Sequence, residues 1–240
     1  MHEVLFLMLC SIVLMPKAHA AKADTASWRY NITPYLWNVS FDGEVSSQGD
    51  DFLVDEDYSF FTLDNLDNVL ALKFEARKDR LAFLFDGLRA RYSDAVSGPL
   101  LTKRLAVELG YLEGAVGYAP WTSRNLQVLA GIRYLYLDTN LGIDSIRNVE
   151  ESNDWLDPLI GLRYGNLLVS DWYYELRGDV AGFGGSTDST VNVQAMLSYR
   201  RGETLSAEIG YRYMDIEFSE DDFSYNVTMQ GLFIGLGIWF

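Results

Sequence analysis

Between residues 28 and 240 apolar and polar positions alternate with a period of two, and no stretch sustains the period of an amphipathic helix. Two runs are the clearest. Val191, Val193, Ala195, Leu197 and Tyr199 oppose Asn192, Gln194, Met196, Ser198 and Arg200, while Leu205, Ala207, Ile209, Tyr211 and Tyr213 oppose Ser206, Glu208, Gly210 and Arg212. Successive side chains of a strand point to opposite faces, so each run is a strand with one apolar and one polar side. The pattern predicts strands over 28–42, 68–77, 80–92, 102–118, 124–140, 155–167, 171–183, 190–200, 203–217 and 223–240. That gives about ten strands. Eight or twelve stay open, because 51–58 has the makings of an extra strand and the first strand alternates poorly.

The connections alternate in length. Lys78-Asp79, Val169-Ser170 and Arg201-Gly202 mark tight turns and Pro120-Trp121-Thr122-Ser123 a short one, whereas 43–67, 93–101, 141–154, 184–189 and 218–222 are mostly longer. An all-β chain built this way predicts a closed antiparallel transmembrane β-barrel, with short periplasmic turns and longer extracellular loops. Its membrane signal is hidden from hydropathy averaging, since only every second residue faces lipid. A soluble sandwich or lipocalin-like barrel is the competing architecture, and it requires a polar outer wall.

Aromatic residues fall where a membrane barrel places them. Trp28, Trp121, Trp172 and Trp239 sit at the short-turn ends, and Trp155, Tyr92, Tyr136 and Tyr213 toward the other ends, as two interfacial girdles would. In the last strand Leu232, Ile234, Leu236, Ile238 and Phe240 share one face, opposite Gly231, Phe233, Gly235, Gly237 and Trp239. This resembles the targeting strand of Gram-negative outer-membrane barrels, in which a terminal aromatic and alternate apolar residues are read by the barrel assembly machinery. Ile238 departs from it, since the family usually has an aromatic there. The chain as a whole resembles small outer-membrane barrels of the OmpA and OmpW-like kind. Pro34-Tyr35-Leu36-Trp37, Glu75-Ala76-Arg77-Lys78 and Gly210-Tyr211-Arg212-Tyr213 also look like uncharacterised porin-like barrels, which offer no residue roles to carry over. The resemblance implies location in the bacterial outer membrane, contact with its lipid and lipopolysaccharide, and no nucleic-acid partner.

Residues 1–20 read as a signal peptide: an apolar run from Val4 to Met15, too short to span a bilayer, followed by Ala18-His19-Ala20. Cleavage is expected after Ala20, or after Ala23, leaving 21–240 as a single barrel domain. That loss removes one acid, Glu3, and one base, Lys17, so the net charge of −15 is unchanged. It also removes Cys10, His2 and His19, the only residues of their types, and with them thiol and imidazole chemistry. Outer-membrane hydrolases of the omptin and lipid-acylating kinds rely on a catalytic histidine, so an enzyme is not expected. No cofactor or metal site is expected either.

Phasing each strand by its apolar face turns a set of charges inward: Lys73, Glu75, Asp86, Glu108, Glu113, Arg133, Arg163, Glu175, Arg177, Asp179, Glu208 and Arg212, with Arg77 beside them. Glu108 and Glu113 have opposite parity, and a bulge near Gly110 would bring both inside. Enclosed charges are costly unless paired, so near-equal numbers of both signs predict a cross-linked ionic lumen, narrow or plugged. Barrels this small are generally filled by side chains. The loop 42–67 is expected outside the cell. It carries nine acids and no Lys or Arg, and Phe60, Phe61, Leu63 and Leu66 within it predict a lid folded over the barrel mouth. Solvation explains the acids more simply than a metal site, since no EF-hand spacing is present. Two roles follow as expectations: an envelope or surface-interaction barrel with a plugged lumen, and, as the alternative, a small channel for passive diffusion.

Overall fold

The computed structural model describes residues 27–47, 50–56, 66–97, 102–143, 147–183, 188–220 and 223–240. Eleven antiparallel strands occupy them: β1 (Arg29–Ser47), β2 (Asp50–Glu56), β3 (Leu66–Lys78), β4 (Leu81–Ser97), β5 (Thr102–Tyr118), β6 (Leu126–Ile143), β7 (Arg147–Val169), β8 (Trp172–Ala181), β9 (Ser189–Arg201), β10 (Leu205–Glu220) and β11 (Phe223–Trp239). Each strand from β3 onward pairs with the next, and β11 pairs with β1, closing a ring of ten. β2 stands outside that ring.

Closure depends on β1 changing partners. Its first residues, Arg29 to Pro34, pair with β3, and Phe41 to Ser47 pair with β2. The ladder to β3 ends at Pro34, whose ring nitrogen has no N–H with which to extend it. The acidic segment 42–67 is therefore not an irregular loop throughout: 42–47 and 50–56 form a β-hairpin that prolongs the wall. The extra strand left open at 51–58 is this β2.

Short turns close one end. Asp79-Arg80 joins Lys78 to Leu81, and Ser170-Asp171 joins Val169 to Trp172. Asp79, Ser170 and Gly202 take positive φ there (53°, 50° and 70°), the conformation that tight hairpins demand. Residues 1–20, read above as a signal peptide, and Phe60, Phe61 and Leu63 lie outside the described residues; Leu66 opens β3.

The outer wall carries a belt of exposed apolar residues on every strand of the ring. Ile32, Leu72, Phe85, Val116, Ile132, Ile160, Leu176, Val193, Ile209 and Ile234 represent the ten in turn. Within the belt the opposite parity is largely polar, apart from a small buried apolar group of Ala115, Leu159 and Ala181. Nearer the long-loop end the pattern inverts along the same strands. On β10 the inward residues run Ser206, Glu208, Gly210, Arg212 and then Met214, Ile216, Phe218, while the outward ones run Leu205, Ala207, Ile209, Tyr211 and then Asp215, Glu217 and Ser219. Past the belt the barrel is built like a water-soluble one, polar outside and apolar within. One buried cluster, of Tyr35, Trp37, Val39, Leu109, Leu135, Trp155, Met214, Ile216, Phe218, Val227, Met229 and Phe233, starts at belt depth with Tyr35 and Phe233 and fills this region.

The girdle expectation holds in part. Trp28, Trp121 and Trp172 are exposed at the short-turn end. Tyr134 and Tyr136 face outward near the other edge of the belt, their ring centroids 6.1 Å apart. Trp239 and Trp155, however, are only 5% and 3% exposed and point into the barrel, because both lie on the inward parity of their strands. Trp155 packs edge-on against Phe218 in the apolar cluster. The side chain of Tyr92 lies outside what is described.

Candidate functional site in the barrel lumen

Inward parity on β5, β6 and β8 brings four charges into one buried layer. Arg133 donates from Nε and Nη2 to Glu113 Oε2, at 3.0 and 2.6 Å, and from Nη2 to Asp179 Oδ1. Arg177 donates to Asp179 Oδ2 at 2.7 Å and to Glu113 Oε1. Each carboxylate thus bridges both guanidiniums in a closed ring of two acids and two bases. Such burial is tolerated because pairing and hydrogen bonding offset the desolvation that either charge would suffer alone. Asn192 on β9 adds a donor to Asp179 Oδ2 at 2.8 Å.

A second set crosses the lumen. Arg212 on β10 donates to Asp86 on β4 at 3.1 Å, to Asn192 Oδ1 at 2.9 Å, and to the Tyr111 hydroxyl on β5. In the ring of ten, β5 and β10 are five strands apart in either direction, so the Arg212–Tyr111 bond spans the barrel's diameter. Tyr35 on β1 completes the set, its hydroxyl donating to Asp86 Oδ1 at 2.8 Å. The guanidinium of Arg212 also lies over the Tyr111 and Trp37 rings, 4.6 and 5.3 Å from their centroids. This layer therefore joins the ionic network directly to the apolar cluster above it.

Toward the short-turn end a third set is looser. Arg163 on β7 donates to Glu75 on β3 and to Gln127, both at 2.9 Å, and lies 3.7 Å from Glu175. Lys73 has no ion pair among the described residues. Its ammonium rests on the faces of Phe233 and Tyr35, 4.0 and 4.9 Å from the ring centroids. Lys73, Glu75, Glu175, Glu208, Arg163 and Arg200 border a cavity of about 70 Å³, room for a handful of waters.

Of the residues expected to turn inward, Lys73, Glu75, Asp86, Glu113, Arg133, Arg163, Glu175, Arg177, Asp179, Glu208 and Arg212 do so. Glu108 does not. The β4–β5 and β5–β6 registers run through Gly110 without a shift, so Glu108 stays on the outward parity, paired at 2.8 Å with the exposed Arg89. Gly110 serves a different purpose from a bulge: the outward Tyr136 ring lies across it where a Cβ would stand. Tyr35, Tyr111, Asn192 and Gln127 were not anticipated. Parity places them on the inner face, but a neutral polar residue gives no sign that a charge needs it.

A closed ring of ten strands, an apolar outer belt and a charged interior define an integral outer-membrane β-barrel, and the chain is located in the bacterial outer membrane. No protein-family profile matches the sequence, and no match is found among curated proteins. Solved structures do match in fold. The outer membrane protease OmpT from Escherichia coli superimposes with a TM-score of 0.57 at 10% identity, over 92% of this chain and 99% of that one. Ail, the attachment invasion locus protein of Yersinia pestis, gives 0.40 at 11% identity over 89% and 98%, and the translocator domain of the autotransporter NalP from Neisseria meningitidis gives 0.38 at 10% over 99% and 94%. The likeness to OmpT is one of architecture.

Proposed function

We propose that this chain is a plugged barrel that serves the envelope through its outer wall and its long-loop face, and that it does not pass solutes. One observation carries the reading: the Arg212–Tyr111 bond across the full diameter, in a layer continuous with the apolar cluster above. An ion crossing that level would have to displace paired charges and then enter a side-chain core, each step costing several kcal/mol. The belt meets lipid and lipopolysaccharide, and the face of Leu232, Ile234, Leu236, Ile238 and Phe240, which lies outward as a signal for the assembly machinery would require, supports passage through that machinery. The acidic segment 42–67 would face the medium.

The same reading is non-enzymatic. Residues 20–240 contain no histidine, and three of the buried carboxylates, Asp86, Glu113 and Asp179, are each held by an arginine, which occupies the oxygens that acid–base work would need. Planar-bilayer recording of the refolded protein tests the plug, with a silent membrane expected; reproducible conductance steps would overturn it. Incubation with peptide or lipopolysaccharide substrates tests the second part, and hydrolysis above background would sink it.

A further inference from the structure

The short-turn mouth holds a group of cations that the plug does not use. Arg29 on β1, Arg77 on β3 and Arg200 on β9 converge on one side chain, Trp239, with guanidinium carbons 5.3, 4.4 and 4.6 Å from its ring. None of the three has a carboxylate ion pair among the described residues, although the chain carries a net charge of −15. Glu75, the acid on the same strand as Arg77, bonds to Arg163, and its one charge also acts on Arg77 and Arg200 without forming an ion pair with either. Among the described residues Arg29 donates only to the Glu203 carbonyl, at 3.4 Å, and Arg200 Nε is buried without an acceptor.

Stacking on an aromatic ring fixes a guanidinium by its face and leaves its N–H edges free, and planar edges of this kind match the oxygens of phosphate. Trp239 is itself held in place, its indole N–H donating to Ser206 Oγ at 3.2 Å. Three like charges gathered round one fixed indole repel one another, and an anion among them would relieve that repulsion. All three are partly accessible from the mouth, and the short-turn end is the periplasmic one.

We propose that the periplasmic mouth is a binding site for a phosphate group, built from Arg29, Arg77 and Arg200 on the platform of Trp239. Free phosphate and the headgroup of an inner-leaflet phospholipid share that chemistry. The site lies beneath the plug and is independent of whether the lumen conducts.

Calorimetric titration of the refolded protein in neutral detergent with inorganic phosphate at low salt is the test. Saturable binding is expected, weakened about tenfold or more by Arg77→Gln or Arg200→Gln, the loss of one charge-assisted contact. Arg77→Lys, which keeps the charge but not the planar edge, should fall between; Arg89→Gln, on the outer wall near the other end, should bind like wild type. Heat-modifiable gel mobility selects variants that have folded. A parallel arm compares thermal unfolding in nanodiscs of phosphatidylglycerol and phosphatidylcholine. An upward shift in the former that Arg77→Gln abolishes identifies the lipid headgroup as the source, even without phosphate binding in detergent. Absence of both signals, or equal weakening by Arg89→Gln and Arg77→Gln, overturns the site.

Discussion

Glu108 and Glu113 lie on one strand with opposite fates, and they make the sharpest test of the interior at the scale of single residues. Glu113 is 2% exposed and bridges Arg133 and Arg177; Glu108 meets Arg89 on the outer wall, where the arginine side chain is 59% exposed. Removing one member of a buried ionic set leaves the others uncompensated, so Glu113→Ala is expected to cost about 3–5 kcal/mol. Glu108→Ala should cost less than about 1 kcal/mol, as exposed pairs do. Urea unfolding followed by tryptophan fluorescence compares the two, and equal costs would remove the distinction between lumen and wall. Most charged members of the network were legible in the sequence because parity and sign suffice to find them, although Arg200 beside the cavity was not among the inward charges named. Their neutral partners were not. Tyr35, Tyr111 and Asn192 matter through reach across the lumen, which depends on which strands face each other after closure.

At the scale of the strand, β10 shows why some elements were easy to read and others were not. Its first half alternates cleanly, but at Tyr213-Met214 the apolar parity passes from the outward to the inward face, as the strand leaves the lipid belt. β1 does the same, with Asn31 and Thr33 inward before Tyr35, Trp37 and Val39. Read as one uninterrupted pattern, such a strand looks irregular, and this is why β1 alternated poorly. Its far half also reads as a loop, although it continues to Ser47. Strand positions survived this better than their ends, because each half still has a period of two. The inversion makes a prediction about one face of one strand. Ile209→Arg, within the belt, should destabilise the folded barrel by about 2–4 kcal/mol, and Asp215→Arg, beyond it, by about 0–1 kcal/mol. Folding titrations into lipid vesicles measure both. A comparable penalty at 215 would mean that the belt extends further than the exposed apolar residues indicate.

For the whole molecule, the two ways of filling the lumen act in series. The paired charges stand at belt depth, where a polar interior is compatible with an apolar outside; the apolar cluster stands beyond it, where the outer wall is polar and the core needs no charge. On the proposed reading either layer alone closes the barrel, so opening one should leave the other sealing it. Arg133→Ala with Arg177→Ala removes both bases of the closed ionic ring, yet the Trp155, Phe218, Met214 and Leu135 side chains remain above it. Trp155→Ala with Phe218→Ala hollows the apolar cluster, yet Arg212 still reaches Tyr111 and Asp86 below. Each pair is expected to be silent in planar bilayers, and only their combination together with Arg212→Ala, which removes the bond across the diameter, should admit ions, provided that gel mobility shows a folded barrel. Conductance from the arginine pair alone would show that the apolar cluster does not seal, and the barrel would then be a channel held shut by charge.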